Sequence, residues 1–159
     1  MNASNRGGRF CVSPRRAGRY DIGPMSVLAH GIDMVECSRI REAIERHEEH
    51  FLHRVFTPVE LRYCLGRKRE IEHLAGRFAA KEAVLKVLGT GWTSGICWTD
   101  VEIKNAPSGQ PRVRLSGRCK QIADEAGMGE ILVSISHIGT HAVASAVGTS
   151  ADDRGAAGR

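Results

Sequence analysis

Arg77-Phe78-Ala79-Ala80-Lys81-Glu82-Ala83-Val84-Leu85-Lys86-Val87-Leu88-Gly89-Thr90-Gly91 is the stretch around which the chain is organised. Ala, Leu, Lys and Glu are good helix formers, and Gly89 and Gly91 suit the left-handed cap at which a helix stops. The reading predicts a helix that begins near Glu70. At the helical period Leu74, Phe78, Leu85 and Leu88 share one face, while Ala79, Ala83 and Val87 share another. Such a helix is apolar nearly all round and therefore belongs in an interior, where Lys and Glu need partners. Lys81 falls inside the Leu74/Phe78/Leu85/Leu88 stripe; Glu82 and Lys86 stand four apart on its flank. Those two could form a helix-surface ion pair worth ~0.2–0.5 kcal/mol. That account leaves Lys81 unexplained. The functional account is a carboxylate able to hold a hard cation, with ammonium groups nearby for phosphates.

Outward from this helix, Val27 to Val35 is a β-rich run in which Ile32, Met34 and Val35 frame a single acid, Asp33. An acid inside a strand marks either an exposed face or a place where charge is wanted. The strand is expected to end near Glu36, with Ser38 as N-cap of a helix to about His50 whose mixed charges describe a solvated face. Thr57-Pro58-Val59-Glu60 is a capping box with Pro at the first helical position, opening a short helix to about Leu65. Arg67-Lys68-Arg69 is a basic link into the central helix.

Beyond Gly91 the pattern alternates. Trp98–Lys104 and Pro111–Leu115, joined by Asn105 to Gln110, read as a β-hairpin. Ser116–Ala126 reads as a helix ending at Gly127. Ile131–His137 and Ala142–Val147 read as two strands around Gly139. The order is strand, three helices, hairpin, helix, hairpin. Short β–β links force antiparallel pairing, so the fold class is α+β, with helices on one side of a mainly antiparallel sheet.

The 159 residues suffice for one domain with a real core, and no apolar run approaches the ~20 residues of a membrane span. The net charge of +5 raises nucleic acid as a partner, but residues 1–24 hold Arg6, Arg9, Arg15, Arg16 and Arg19 against Asp21. Without that segment the body is nearly neutral, and no nucleic-acid motif or aromatic stacking set appears. Residues 1–24 are expected to be disordered; their Arg-rich composition resembles a transit peptide, and Met25 is an alternative start. The Thr149–Arg159 tail is likewise expected to be disordered. Five widely spaced cysteines without a C-x-x-C pair fit reduced thiols in a cytosolic protein.

Asp33 and Glu82, about fifty residues apart, form a pair that could hold Mg²⁺ while leaving positions open for waters and substrate phosphates. Lys81, Lys86, Arg77 and the Arg67–Arg69 link could supply charge to a polyphosphate. Neither the Walker pattern nor the kinase glycine loop is present, which argues against ordinary ATP or GTP handling. His137 closes a strand, where it is either structural or a ligand contact.

Gly31-Ile32-Asp33-Met34-Val35-Glu36 followed by Arg77-Phe78-Ala79-Ala80-Lys81-Glu82-Ala83-x-x-Lys86 resembles the paired signature of the 4′-phosphopantetheinyl transferase superfamily. Residues 25–148 resemble its short, holo-acyl-carrier-protein synthase type. Arg54-Val55-Phe56-Thr57-x-x-Glu60, Leu88-Gly89-Thr90-Gly91, Asn105 with Gly109-x-Pro111, and Val133-Ser134-Ile135-Ser136-His137 carry the likeness further. The resemblance implies a cytoplasmic, Mg²⁺-dependent transfer of 4′-phosphopantetheine from coenzyme A to a serine of apo-acyl carrier protein, releasing adenosine 3′,5′-bisphosphate in support of fatty acid biosynthesis. It implies that Asp33 and Glu82 bind the metal and that Lys81 and Lys86 lie along the pyrophosphate, Lys86 with Asp33 and Glu82 forming the catalytic set. It further implies that Lys68, Arg77, Asn105 and His137 lie near the 3′-phosphate and adenine, that Gly89, Thr90 and Gly91 border the cofactor, and that Arg39 and Arg46 dock the acidic carrier. The nucleophile belongs to the carrier protein; its proton goes to a metal-bound water or a carboxylate. A homotrimer with sites between subunits is implied too. The rival expectations are a basic nucleic-acid module and an inactive homologue that keeps the fold. Val87 stands where the superfamily usually has Ala or Gly.

Overall fold

The computed structural model describes residues 26–91 and 95–151. Helix α3, Glu70–Leu88, is its axis. Glu70 and Glu72 place acid in the first turn, favourable to the helix dipole. Gly89, with φ of 70°, closes the helix in the left-handed conformation, its N–H donating to the carbonyl of Lys86. Both ends therefore fall where the sequence predicts them.

The remaining elements are β1 (Val27–Glu36), α1 (Cys37–Val55), α2 (Pro58–Cys64), β2 (Val101–Asn105), β3 (Pro111–Leu115), α4 (Gly117–Glu125), β4 (Met128–His137) and β5 (His141–Ser150). The strands form one antiparallel sheet in the order β1-β5-β4-β3-β2. β1 lies on β5 with Asp33 opposite Ala144, and β5 lies on β4 with Ala144 opposite Ile135.

α3 covers one face of this sheet. Small side chains permit the approach: Ala142, Ala144 and Ala146 of β5 are buried, as are Ala79, Ala83 and Val87 of the helix that packs on that strand. The closest approach is at Gly31. A Cβ there would run into the carbonyl oxygen of Ala83 and stand 2.9 Å from Cβ of Lys86. Only glycine lets β1 and α3 meet at this level, and the two-residue period of the strand then turns Asp33 to the same, helix-facing side. The other face of β1 carries Leu28, Ile32 and Met34, which are 46%, 55% and 67% exposed.

Three expectations need correction. α1 runs to Val55, not His50, because Ile44, Phe51 and Leu52 pack against the core beyond the charged stretch; a break at Glu48, whose φ is 44°, reorients the chain there. Its N-cap is Glu36, and Ser38 sits in the first turn, donating to the Glu36 carboxylate at 3.4 Å. Trp98–Asp100 is a 3₁₀ turn, with the Asp100 carboxylate accepting the Cys97 N–H at 3.2 Å, so the hairpin strand starts at Val101. Thr149 and Ser150 belong to β5; the Thr149 hydroxyl is buried and donates to the carbonyl of Glu130 at 3.0 Å. The expectations for residues 1–24 and for the end of the tail lie outside the described residues. Cys37, Cys64, Cys97 and Cys119 are free thiols, and burial pushes Cys64 up to about 12.

Candidate active site

Lys81 is the largest departure from the sequence reading. Its side chain is 0% exposed, and its ammonium donates to Glu60 at 2.8 Å, to the carbonyl of Trp98 at 3.0 Å and to the carbonyl of Val101. All three of its hydrogens are thereby used within the core. Glu60 is the fourth residue of the Thr57 capping box. Its Oε2 accepts the Thr57 N–H at 2.8 Å as well as Lys81, and its Oε1 accepts the Ile103 N–H at 3.0 Å. The Thr57 hydroxyl donates to Glu102 at 2.9 Å. Burial draws the Lys81 pKa down while Glu60 opposes it. The expectation that Lys81 lies along a pyrophosphate is therefore corrected: this ammonium ties α3 to α2 and β2. The capping box is visible in the sequence, but the second use of its acid is a tertiary contact.

Asp33 and Glu82 do come together. They line a cleft of about 390 Å³ with Met34, Arg39, Phe51 and Phe78. The ammonium of Lys86 donates to Asp33 Oδ1 at 2.9 Å and to the carbonyl of Ile32 at 2.7 Å, while half of its side chain stays exposed. The Gly31 contact is what puts β1 within reach of it. Two carboxylates and a solvent-facing ammonium beside an open cleft fit a hydrated divalent cation, which takes few protein oxygens and keeps positions for phosphate. The described residues contain no cluster of three or more His, Cys, Asp or Glu that would build a closed metal cage. The two-carboxylate site is of the open kind.

A second cleft, of about 170 Å³, gathers three other expected residues, Arg77, Asn105 and His137, with Tyr63, His73, Gly76 and Ile135. Arg77 is 5% exposed and donates to Asn105 Oδ1 at 2.5 Å; its Nε is buried without an acceptor among the described residues. His137 is held by Glu72 at 2.9 Å and sets its ring edge-to-face on His73, 5.3 Å away. Burial and the nearby His137, Arg67 and Arg77 hold His73 below the ordinary value of 6.5. Tyr63, His73 and Glu72 escaped the sequence reading; their signal, two consecutive helices entering through a basic link, says nothing about which side chains converge.

Lys68 lines an adjoining cleft with Arg41, Arg69, Glu72 and Gly139. Gly89, Thr90 and Gly91 lie past the end of α3 and line neither of the two clefts; the positive φ of both glycines accounts for their presence. Arg39 borders the carboxylate cleft, whereas Arg46 is further along α1 in an exposed pair with Glu42 at 3.6 Å.

Residues 29–145 match the family model described as the 4′-phosphopantetheinyl transferase superfamily. A holo-[acyl-carrier-protein] synthase of Moorella thermoacetica is 52% identical over 122 residues, covering 76% of this chain and 91% of that protein. One of Trichlorobacter lovleyi is 45% identical over 121 residues, covering 76% and 96%. Among solved structures, holo-[acyl-carrier-protein] synthase of Helicobacter pylori in complex with coenzyme A superposes with a TM-score of 0.67 at 32% identity, covering 75% of this chain and 98% of that one. The Bacillus anthracis protein in complex with CoA (3′,5′-ADP) gives 0.64 at 33% identity, covering 78% and 97%.

Proposed function

The chain belongs to the 4′-phosphopantetheinyl transferase superfamily, and from that premise we propose that it transfers 4′-phosphopantetheine from coenzyme A to a serine of apo-acyl carrier protein, releasing adenosine 3′,5′-bisphosphate. The observation that carries the reading is the carboxylate cleft, where the Gly31 contact brings Asp33 and Lys86 together beside Glu82.

Asp33 and Glu82 would hold Mg²⁺, which when bound supplies positive charge to the pyrophosphate. Lys86 fixes the Asp33 carboxylate and keeps an exposed ammonium for a phosphate oxygen, stabilising the charge that develops as the phosphoanhydride bond breaks. Arg77, Asn105 and His137 would hold the 3′-phosphate and adenine end, with the unfilled Arg77 Nε as an anion donor. Arg39, at the rim of the carboxylate cleft, would meet the acidic carrier, with Arg46 a turn or two along the same helix. The attacking hydroxyl would come from the carrier.

The two clefts lie on different sides of α3. Arg77 and Glu82, five residues apart, are separated by about 7.5 Å along the axis and roughly 140° around it. One coenzyme A reaching both sets of side chains would pass between copies of the chain. The exposed Leu28, Ile32 and Met34 on the outer sheet face give such copies an apolar surface to share. Both observations support an assembly with sites between subunits, which on the family resemblance would be a homotrimer. On this reading the reaction would serve fatty acid synthesis in the cytoplasm.

The test follows transfer of labelled phosphopantetheine from coenzyme A to apo-acyl carrier protein, with Mg²⁺ and with chelator. Labelling that requires Mg²⁺ and collapses in Asp33→Ala is expected. A folded wild-type sample that labels no carrier protein, whatever the metal, would refute the reading.

A further inference from the structure

Tyr63 lies half-buried at the end of α2 and joins the groups of the second cleft. The guanidinium carbons of Arg67 and Arg77 sit over its ring, 4.3 and 4.5 Å from the centroid. His73 meets the ring edge-on at 5.7 Å and in turn packs on His137. The two arginines differ sharply in their anchoring. Arg77 is buried, tied to Asn105, and has an Nε that no acceptor among the described residues fills. Arg67 is exposed, its Nε donating to the Tyr63 carbonyl, so its terminal nitrogens are left for something else.

Two guanidinium groups on one ring repel each other, and an exposed Arg would normally sample many rotamers. Contact with the Tyr63 ring offsets the repulsion and holds both guanidinium carbons within 4.5 Å of its centroid. Planar donors held in fixed relation are the arrangement that suits the several oxygens of one phosphate. A buried guanidinium with an unfilled donor calls for an anionic acceptor at this spot.

Resting on the assignment of this cleft to the 3′-phosphate of coenzyme A, we propose that Tyr63 is a positioning residue that stacks Arg67 and Arg77 into a paired clamp for that phosphate. Arg67 thereby joins the cofactor-binding set. The inference separates Tyr63 from a side chain that merely fills space, because its loss weakens recognition of the 3′-phosphate more than that of the rest of the cofactor.

The full-length protein is assayed with coenzyme A and with 3′-dephospho-coenzyme A at saturating apo-acyl carrier protein. The wild type prefers coenzyme A. Tyr63→Leu reduces the ratio of the two kcat/KM values roughly tenfold, the factor that ~1.4 kcal/mol of lost stacking corresponds to, through a higher KM for coenzyme A. The kcat/KM for the dephospho substrate, which lacks the group the clamp would hold, falls by clearly less than that for coenzyme A, and Tyr63→Phe, which keeps the π-face, retains the preference. Arg67→Met, a change at an exposed site, lowers the same ratio and decides the matter should Tyr63→Leu fail to fold. A Tyr63→Leu protein that loses both substrates equally, or keeps the wild-type ratio, overturns the proposal, as does an unchanged ratio in Arg67→Met. A wild type without preference refutes the assignment of the cleft itself, and does so before any substitution is made.

Discussion

Replacing Lys81 by Met tests the distinction between a structural and a cofactor-facing lysine. Methionine keeps the length and apolar character of the stem, so packing along it changes little. What is lost is the cation 2.8 Å from a Glu60 carboxylate that is itself 0% exposed. Glu60 keeps the N–H groups of Thr57 and Ile103 but becomes a buried charge without its counter-ion. Removing one partner of a buried pair costs about 3–5 kcal/mol. In a domain of this size each kcal/mol moves the melting temperature by roughly 3–5 °C, so Lys81→Met should melt ~10–25 °C below wild type. In a double-mutant cycle with Glu60→Gln, whose NH2 cannot accept the backbone N–H it would face, the two losses should fall short of additive by at least ~1 kcal/mol, a coupling expected only of residues in contact. Thermal melts by circular dichroism give the stabilities, and turnover at low temperature on the folded sample gives the activity. A Lys81→Met protein that melts within ~2 °C of wild type yet no longer uses coenzyme A would refute this reasoning and return the ammonium to the pyrophosphate.

Gly31→Ala drives a methyl group into the Ala83 carbonyl and the Lys86 stem, so β1 must move off α3; a loss of about 1–3 kcal/mol is expected, with transfer reduced more than stability alone explains because Asp33 moves with the strand. Mg²⁺ titration of the activity should show a raised requirement, and unchanged metal dependence would sink the link between the glycine and the metal site. His73 is held below 6.5, so the folded chain binds fewer protons on it than the unfolded chain does just under that pH. Stability should therefore fall as pH drops through 6.5 and level off below the folded value; His73→Gln should flatten that part of the profile, measured as urea midpoints at several pH values.

The parts of the fold that were legible in the sequence are those set by short-range chemistry. The ends of α3 follow from Gly89 and the acids of its first turn, α2 from its capping box with Pro58, and the antiparallel sheet from β–β links too short for a crossover. α1 was misjudged at both ends because its continuation past His50 depends on Phe51, Leu52 and Val55 finding the core, a contact that no local pattern records. Lys81 is instructive in another way. Its position on an apolar stripe correctly marked it as a charge in need of a partner, and the error lay in supplying that partner from a ligand. The partner was Glu60, already identified as a helix cap. A buried cation is matched by any buried anion the topology delivers, and sequence spacing does not rank a carboxylate 21 residues upstream above a cofactor phosphate.

The same geometry makes a demand on the assembly. The 3′-phosphate and the pyrophosphate of coenzyme A both hang from one ribose, whereas Arg77 and Asp33–Glu82 open onto clefts on different sides of one helix. If the helix of a single chain stands between them, Asp33 from one copy and Arg77 from its neighbour must serve the same cofactor. Asp33→Ala and Arg77→Gln proteins, each impaired alone, should then complement when co-expressed. In a closed ring with head-to-tail interfaces, random mixing gives each interface an intact pair in about one case in four, so activity near a quarter of wild type is expected from the mixture. A mixture no more active than its parents would mean that both sets of side chains act within one chain, and that a movement of α3 or of the cofactor across it has to be sought instead.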